Sequence, residues 1–288
     1  IMKKLVCLII VIPILVAFGK NKKPVRSKYL PKSFVKVPQG KVYLSSKLDS
    51  CETFFISESE VTNGEYQMFL NSFRTEKNVL DFIKNVPDTT VWRSAMAYNE
   101  PYVSYYYQHL AYKDYPVVGV TLKQAQAYCK WLSKNYTAKK QGKVEFFIPT
   151  KKQWIRAARG GSTTHFSNGN TVRQNADKKN MGLVMYNHKT FGSRNIRYNV
   201  DLKKYEFVNV DGEISDGGFI TTPVNSYWPN QFGLYNMCGN VAELVADNVA
   251  MGGSWNNSGY DIRVESEQKA TNPTATIGFR VCARLKSL

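Results

Sequence analysis

The chain has 288 residues, 43% of them hydrophobic and 13% aromatic, and a formal net charge of +17. That supplies one large core or two small ones, and no tract is biased enough to read as a disordered chain. Five cysteines without a CxxC pair or a His/Cys cluster argue against zinc, and the dispersed His109, His165 and His188 lack facial-triad spacing.

In chain order, Ile1 precedes Met2, and Lys3 and Lys4 lead an apolar run from Leu5 to Phe18. The run is short for a spanning helix and right for a signal-peptide core, with Ala17 and Gly19 marking cleavage after Gly19. An uncleaved inner-membrane anchor is the competing reading. Residues 1–19 thus predict export, to the periplasm or the outer membrane. Residues 20–33 read as a basic, Pro-containing linker. Without the first nineteen residues the charge is still +15, since Lys3 and Lys4 are their only charged side chains. Such a charge points to an acidic partner surface, and for an exported chain not to nucleic acid; scattered solvated lysine is the alternative. Cys7 falls in the apolar run. Cys51, Cys129, Cys238 and Cys282 remain, enough for one or two disulfides that sequence does not pair.

A domain over residues 34–286 follows. FVKVPQGKVYL predicts two short strands around a Pro-Gln-Gly turn, and FFISESEVTNGEYQMFL runs from strand into helix. Three helix starts carry a capping box: Thr62 with Glu65, Thr121 with Gln124, and Thr150 with Gln153. Their buried faces are Tyr66, Phe69, Leu70 and Phe73; then Ala125, Tyr128, Cys129 and Leu132; then Trp154, Ala157 and Ala158. Gly160 and Gly161 stop the last helix. Short strands, few helices and long loops make the class α+β.

Two stretches carry unusual chemistry. Tyr98, Tyr102, Tyr105, Tyr106, Tyr107, Tyr112 and Tyr115 crowd one segment, as an assembly interface or as an aromatic cover over the domain's own core. Between Gly233 and Arg284, glycines alternate with Asn236, Asn240, Glu243, Asn256 and Asn257. Oxygen side chains along a Gly-rich loop suit a hard cation such as calcium, and Asn also closes turns through its own backbone.

The motifs G-L-Y-N-M-C-G-N-V-A-E, G-G-S-W and G-F-R resemble the C-terminal signature of the formylglycine-generating enzyme (sulfatase-modifying factor) family. EVTNGEY, PVVGVT and IPTKKQWIRAARGG extend the resemblance from Phe34 to Arg284. It implies a compact C-type-lectin-like α+β fold with little regular secondary structure. It also implies a structural calcium on Asn236, Gly239, Val241 and Glu243, and a second family site on Asn180, Met181, Asp216 and Gly218. The family's two copper-holding cysteines fall here on Asn257 and Ile262, neither a thiolate, so the resemblance carries the fold without that chemistry.

Within it, Val86–Cys129 resembles the GldK/PorK (GldJ) lipoproteins of type IX secretion and gliding, through Y-N-E-P and H-x-A-Y-x-D-Y-P-V-V-G-V. That implies a non-catalytic structural subunit at the outer envelope, with a periplasmic ring partner of GldN/PorN type or a homo-oligomer. No lipid-bearing Cys follows Leu15–Gly19. An oxidoreductase of the same fold and a glycan- or peptide-binding lectin-like module are the alternative readings.

Overall fold

The computed structural model describes residues 23–44, 47–94, 98–140, 144–174, 178–189, 194–199, 203–209 and 218–285. The segment read as a signal peptide, with Cys7, and the candidate ligand Asp216 lie outside them. Four strands come first: β1 (Phe34–Val37), β2 (Gly40–Leu44), β3 (Lys47–Cys51) and β4 (Phe54–Ser57). Then follow α1 (Asn63–Thr75), α2 (Val79–Asn85), α3 (Glu100–Tyr105), α4 (Leu122–Lys140), β5 (Val144–Phe147) and α5 (Lys151–Ala158). The ribbon β6 (Arg194–Asn199) with β7 (Lys204–Asn209) precedes the C-terminal strands. These are β8 (Ala242–Leu244), β9 (Val249–Met251), β10 (Glu267–Lys269), β11 (Ile277–Gly278) and β12 (Cys282–Leu285).

β1 and β2 both form, yet they do not pair with each other. β1 pairs with β4 and β2 with β3, both antiparallel. The central sheet runs β1-β4-β12-β5, and a second runs β10-β9-β8-β11, where β8 and β11 are parallel. Alternation along the central strands divides the core in two, because successive strand residues face opposite sides. Phe34, Phe146 and Ala283 face a cluster with Tyr66, Phe69, Tyr128 and Phe279. Val35, Ile56 and Cys282 face another with Trp154, Met237, Met251 and Ile262.

All three capping boxes form as their sequences predict. The Thr62 hydroxyl accepts from the Glu65 amide, and the Glu65 carboxylate accepts from the Thr62 amide at 2.9 Å. Thr121 with Gln124 and Thr150 with Gln153 repeat the exchange. Tyr66, Phe69, Ala125, Tyr128, Cys129, Trp154, Ala157 and Ala158 are all buried, while Leu70, Phe73 and Leu132 are half-buried against the same core.

The described part of the stretch read as a linker is packed against the domain. Leu30 is buried, the Val25 carbonyl accepts from the Lys36 amide at 2.7 Å, and Arg26 pairs with Glu58. Cys51, Cys129, Cys238 and Cys282 are free and buried. Burial pushes the Cys238 thiol up to about 12 and the Cys129 thiol higher, so neither is a ready thiolate. No helix among the described residues is long and apolar enough to cross a membrane.

Candidate functional site

Two regions built by the C-terminal motifs carry polar chemistry. The first is a buried cluster beneath the G-L-Y-N and G-N-V turns. Asn236 and Asn240 both adopt positive φ, +50° and +60°, which asparagine tolerates better than most residues. Gly239 between them has φ +77°, and a Cβ there would lie 2.2 Å from the Asn187 carbonyl oxygen. The turn aims both asparagine side chains at Glu60: Asn236 Nδ2 donates at 3.3 Å and Asn240 Nδ2 at 2.9 Å.

Behind Glu60, Arg280 of G-F-R donates through Nε to Glu243 Oε2 at 2.6 Å and through Nη2 to Oε1. Trp154 Nε1 donates to the same Oε2 at 2.7 Å. Glu243 and Arg280 are fully buried, and Glu60 nearly so. Glu243 thus takes the guanidinium directly, while Glu60 is held by the two asparagines and feels both charges at a distance. Burial pushes the Glu60 carboxyl up to about 8; Arg280 opposes that shift and Glu243 adds to it.

The folded chain therefore keeps a proton on Glu60 that the unfolded chain has already released above its ordinary 4.5. The associated stability is full below 4.5 and is lost as pH rises through about 8. Urea unfolding is expected to show lower stability at pH 9 than at pH 6, with Glu60→Gln flattening the difference. An unchanged slope in that variant would assign the pH dependence elsewhere.

The cation expectation can be tested against this geometry. Asn236 Nδ2 is taken by Glu60 and by the Val224 carbonyl at 3.0 Å. Glu243 Oε2 accepts two hydrogen bonds, while Oε1 accepts from Arg280 alone and keeps a lone pair. Of the expected calcium set, Glu243 is held by Arg280 and Trp154, Asn236 is turned toward Glu60, and Gly239 and Val241 are buried in the stretch between them. Of the second set, Asn180 ends a short helical turn with its carbonyl accepting from Leu183, Met181 is exposed, and Gly218 is half-buried. No group of three or more His, Cys, Asp or Glu among the described residues is arranged to hold a metal.

The second region is a cleft of about 540 Å³ beside G-G-S-W, lined by Arg159, His165, Gly253, Asn257, Tyr260, Asp261, Arg263 and Glu265–Gln268. Gly253, at φ +64°, lets the loop fold back on itself, since a Cβ would lie 2.5 Å from the Asp261 carbonyl oxygen. Asn257 Oδ1 accepts from the Ser254 amide at 2.9 Å and from its hydroxyl at 2.7 Å, closing the turn. Ile262 is fully buried in the core behind it. The positions that the resemblance gives to copper thiolates thus hold a turn cap and a core side chain, and no cysteine lines the cleft among the described residues.

Arg263 stacks 3.5 Å over the Tyr260 ring and donates through Nε to the Tyr260 carbonyl. Arg159 pairs with Glu265, and Lys151 with Glu267. Sequence reasoning missed Arg159, Arg263 and Gln268 here, and Glu60 and Arg280 in the buried cluster. The last two stood in quoted motifs, S-E-V-T and G-F-R, and nothing local in either motif signals its distant partner.

The tyrosine segment divides. Tyr98 is 84% exposed and Tyr105 56% exposed. An outward surface made of all seven is corrected for Tyr106 and Tyr107, which are buried in the domain's own core. The Tyr106 hydroxyl donates to the Pro116 carbonyl and meets Thr221 Oγ1 at 2.9 Å, and the Tyr107 hydroxyl donates to the Val118 carbonyl. Tyr102, Tyr112 and Tyr115 are half-buried against the same cluster. Consecutive residues leaving α3 point in different directions, which sends Tyr105 out and its two successors in.

Residues 20–285 match the family described as the sulfatase-modifying factor enzyme 1-like domain. A formylglycine-generating enzyme of Thermomonospora curvata is 31% identical over 136 residues, covering 46% of this chain and 34% of that protein. The inactive C-alpha-formylglycine-generating enzyme 2 of Bos taurus is 28% identical over 188 residues, 59% of this chain and 50% of that one. This chain thus spans about a third of the length of the bacterial enzyme. Among solved structures, PvdO from Pseudomonas aeruginosa superposes with a TM-score of 0.60 at 21% identity, over 92% of this chain and all of that one, which shows the fold. With its fold and its C-terminal motifs in agreement, the chain belongs to the sulfatase-modifying factor enzyme 1-like domain family.

Proposed function

We propose that this chain keeps the fold of the formylglycine-generating enzymes without their oxidative chemistry, and works as a structural subunit of an envelope assembly. One observation carries the reading: Asn257 caps the Ser254 turn and Ile262 is buried, so neither family thiolate position offers a soft ligand for copper. The bovine relative that is itself called inactive supports a family in which fold and catalysis separate.

The Y-N-E-P and H-x-A-Y-x-D-Y-P-V-V-G-V phrases favour the type IX secretion or gliding machinery as that assembly, with a periplasmic partner of GldN/PorN type. The apolar run before residue 20 favours export. Tyr98, Tyr105 and Leu110, all exposed, offer contact area, and the basic charge complements an acidic partner face. A structural calcium on Asn236, Gly239, Val241 and Glu243 belongs to the same reading, supported by the resemblance that the G-L-Y-N and G-N-V motifs carry.

The absence of catalysis is tested with copper, oxygen and a sulfatase-motif peptide. The peptide cysteine is expected to keep its mass, and turnover above a no-protein control would reject the reading.

A further inference from the structure

A second cleft, of about 300 Å³, shares only Arg159 with the cleft beside Gly253. β2 contributes Lys41 and Tyr43, the end of α5 contributes Arg156 and Arg159, and the turn over 161–163 completes the lining. It carries three cations and no acid. Lys41 and Tyr43 leave the same face of β2, because strand residues two apart share a face, and Val42 between them is buried.

Arg159 is neutralised by Glu265, and Arg156 is not neutralised by anything. Arg156 Nε donates to the Pro38 carbonyl at 3.2 Å, and Nη2 donates to the Pro38 and Gln39 carbonyls at 3.1 and 3.3 Å. The guanidinium also lies 5.3 Å from the centre of the Phe232 ring. Gly40 makes that seat possible, since a Cβ there would lie 2.5 Å from Arg156 Nη2. These partners are all neutral, so they fix the plane of the guanidinium without answering its charge. Burial pushes Arg156 below its ordinary value, and no carboxylate among the described residues opposes the shift. Nη1 is uncommitted and, unlike Arg159 Nε, open to solvent. Lys41 is exposed and likewise has no partner among the described residues.

Two unanswered cations in one cleft suit a dianion. A phosphate monoester carries about −1.5 to −2 charges at pH 7 and presents three acceptor oxygens. Those oxygens diverge, which suits donors that arrive from β2, from α5 and from the turn that holds the Thr163 hydroxyl. A carboxylate brings a single charge and two oxygens in one plane, and leaves part of that set unused. The cleft also exceeds a bare phosphate, with room beside the Tyr43 ring for the group that the ester carries.

We infer that this cleft binds a phosphate monoester on a small polar body, held between Arg156 and Lys41. The site stands apart from the envelope-docking reading, and either can fail alone.

The test is isothermal titration of the full chain with glucose 6-phosphate as the probe and glucose and citrate as controls. Saturable binding of glucose 6-phosphate is expected, and none of glucose. Lys41→Gln and Arg156→Gln are each expected to weaken it at least about tenfold, the loss of one hydrogen bond to a charged group. Lys36→Gln, at an exposed lysine outside the cleft, is expected to leave it unchanged. If Arg156→Gln folds poorly, Lys41→Gln decides, because its side chain is exposed. A second arm compares retention on phosphatidylcholine vesicles carrying phosphatidic acid, a monoester, with vesicles carrying phosphatidylglycerol, a diester. Lys41-dependent retention on phosphatidic acid alone assigns the monoester to a lipid headgroup rather than a free ligand.

No saturable binding in either arm, or citrate bound as tightly as the monoester, would overturn the inference. Equal weakening by Lys36→Gln would overturn it too, assigning the attraction to the basic charge of the whole chain. So would equal retention on both kinds of vesicle with no glucose 6-phosphate bound.

Discussion

Replacing Arg280 by methionine is expected to destabilise the protein by about 3–5 kcal/mol, because it leaves a charge buried without its partner. Arg280 is fully buried, and besides Glu243 it donates to the Ser57 and Tyr235 carbonyls. Loss of the guanidinium strands Glu243 and removes the charge that offsets Glu60. It also unlinks β4, the G-L-Y-N turn and β8 at a single point. Urea unfolding measures the effect. The double variant Glu243→Gln/Arg280→Met removes both charges of the pair and is expected to lose less than the single variant. A cost below about 1 kcal/mol for Arg280→Met, the range of an exposed pair, would mean that the cluster is open to water.

The second large effect is expected at Tyr106. Tyr106→Ala removes a fully buried ring that packs against Trp92 at 4.6 Å between centroids and against Tyr112 at 5.3 Å. Truncation of a buried aromatic costs about 3–5 kcal/mol. Tyr106→Phe keeps the ring and leaves the Pro116 carbonyl and Thr221 without their hydroxyl partner, for about 1–3 kcal/mol. Tyr105→Ala, one residue earlier and exposed, is expected to stay within about 0.5 kcal/mol of the parent. Equal losses at Tyr105 and Tyr106 in thermal and urea melts would contradict the division of the segment into core and surface.

What the sequence made legible was local. The three capping boxes join residues three apart, and their helices follow from hydroxyl, carboxylate or amide, and apolar spacing without any tertiary information. The family motifs likewise announced an α+β fold of short strands. Pairing was less legible, because FVKVPQGKVYL contains both strands that it predicts, while each takes its partner from beyond the turn. The buried cluster was hidden for the same reason. Glu60 lies 176 residues from Asn236, and Arg280 lies 37 from Glu243. The donors of the cleft were illegible because an arginine in a basic chain looks like any solvated charge until its neighbours are known. The tyrosine segment shows the limit of composition: seven rings signalled aromatic packing, and only the path of the chain through Tyr105, Tyr106 and Tyr107 sorts them into two environments.

The central claim is that this domain docks rather than catalyses, and its most direct measurement is co-purification from the native envelope, quantified by mass spectrometry. Wild-type chain is compared with the Tyr98→Ser/Tyr105→Ser variant, whose two substitutions lie on exposed rings and leave the fold intact. The account predicts a stoichiometric envelope partner on the wild-type chain, and its loss from the variant at an unchanged melting temperature. A wild-type chain recovered alone, or a variant that retains the same partner at the same yield, would contradict it.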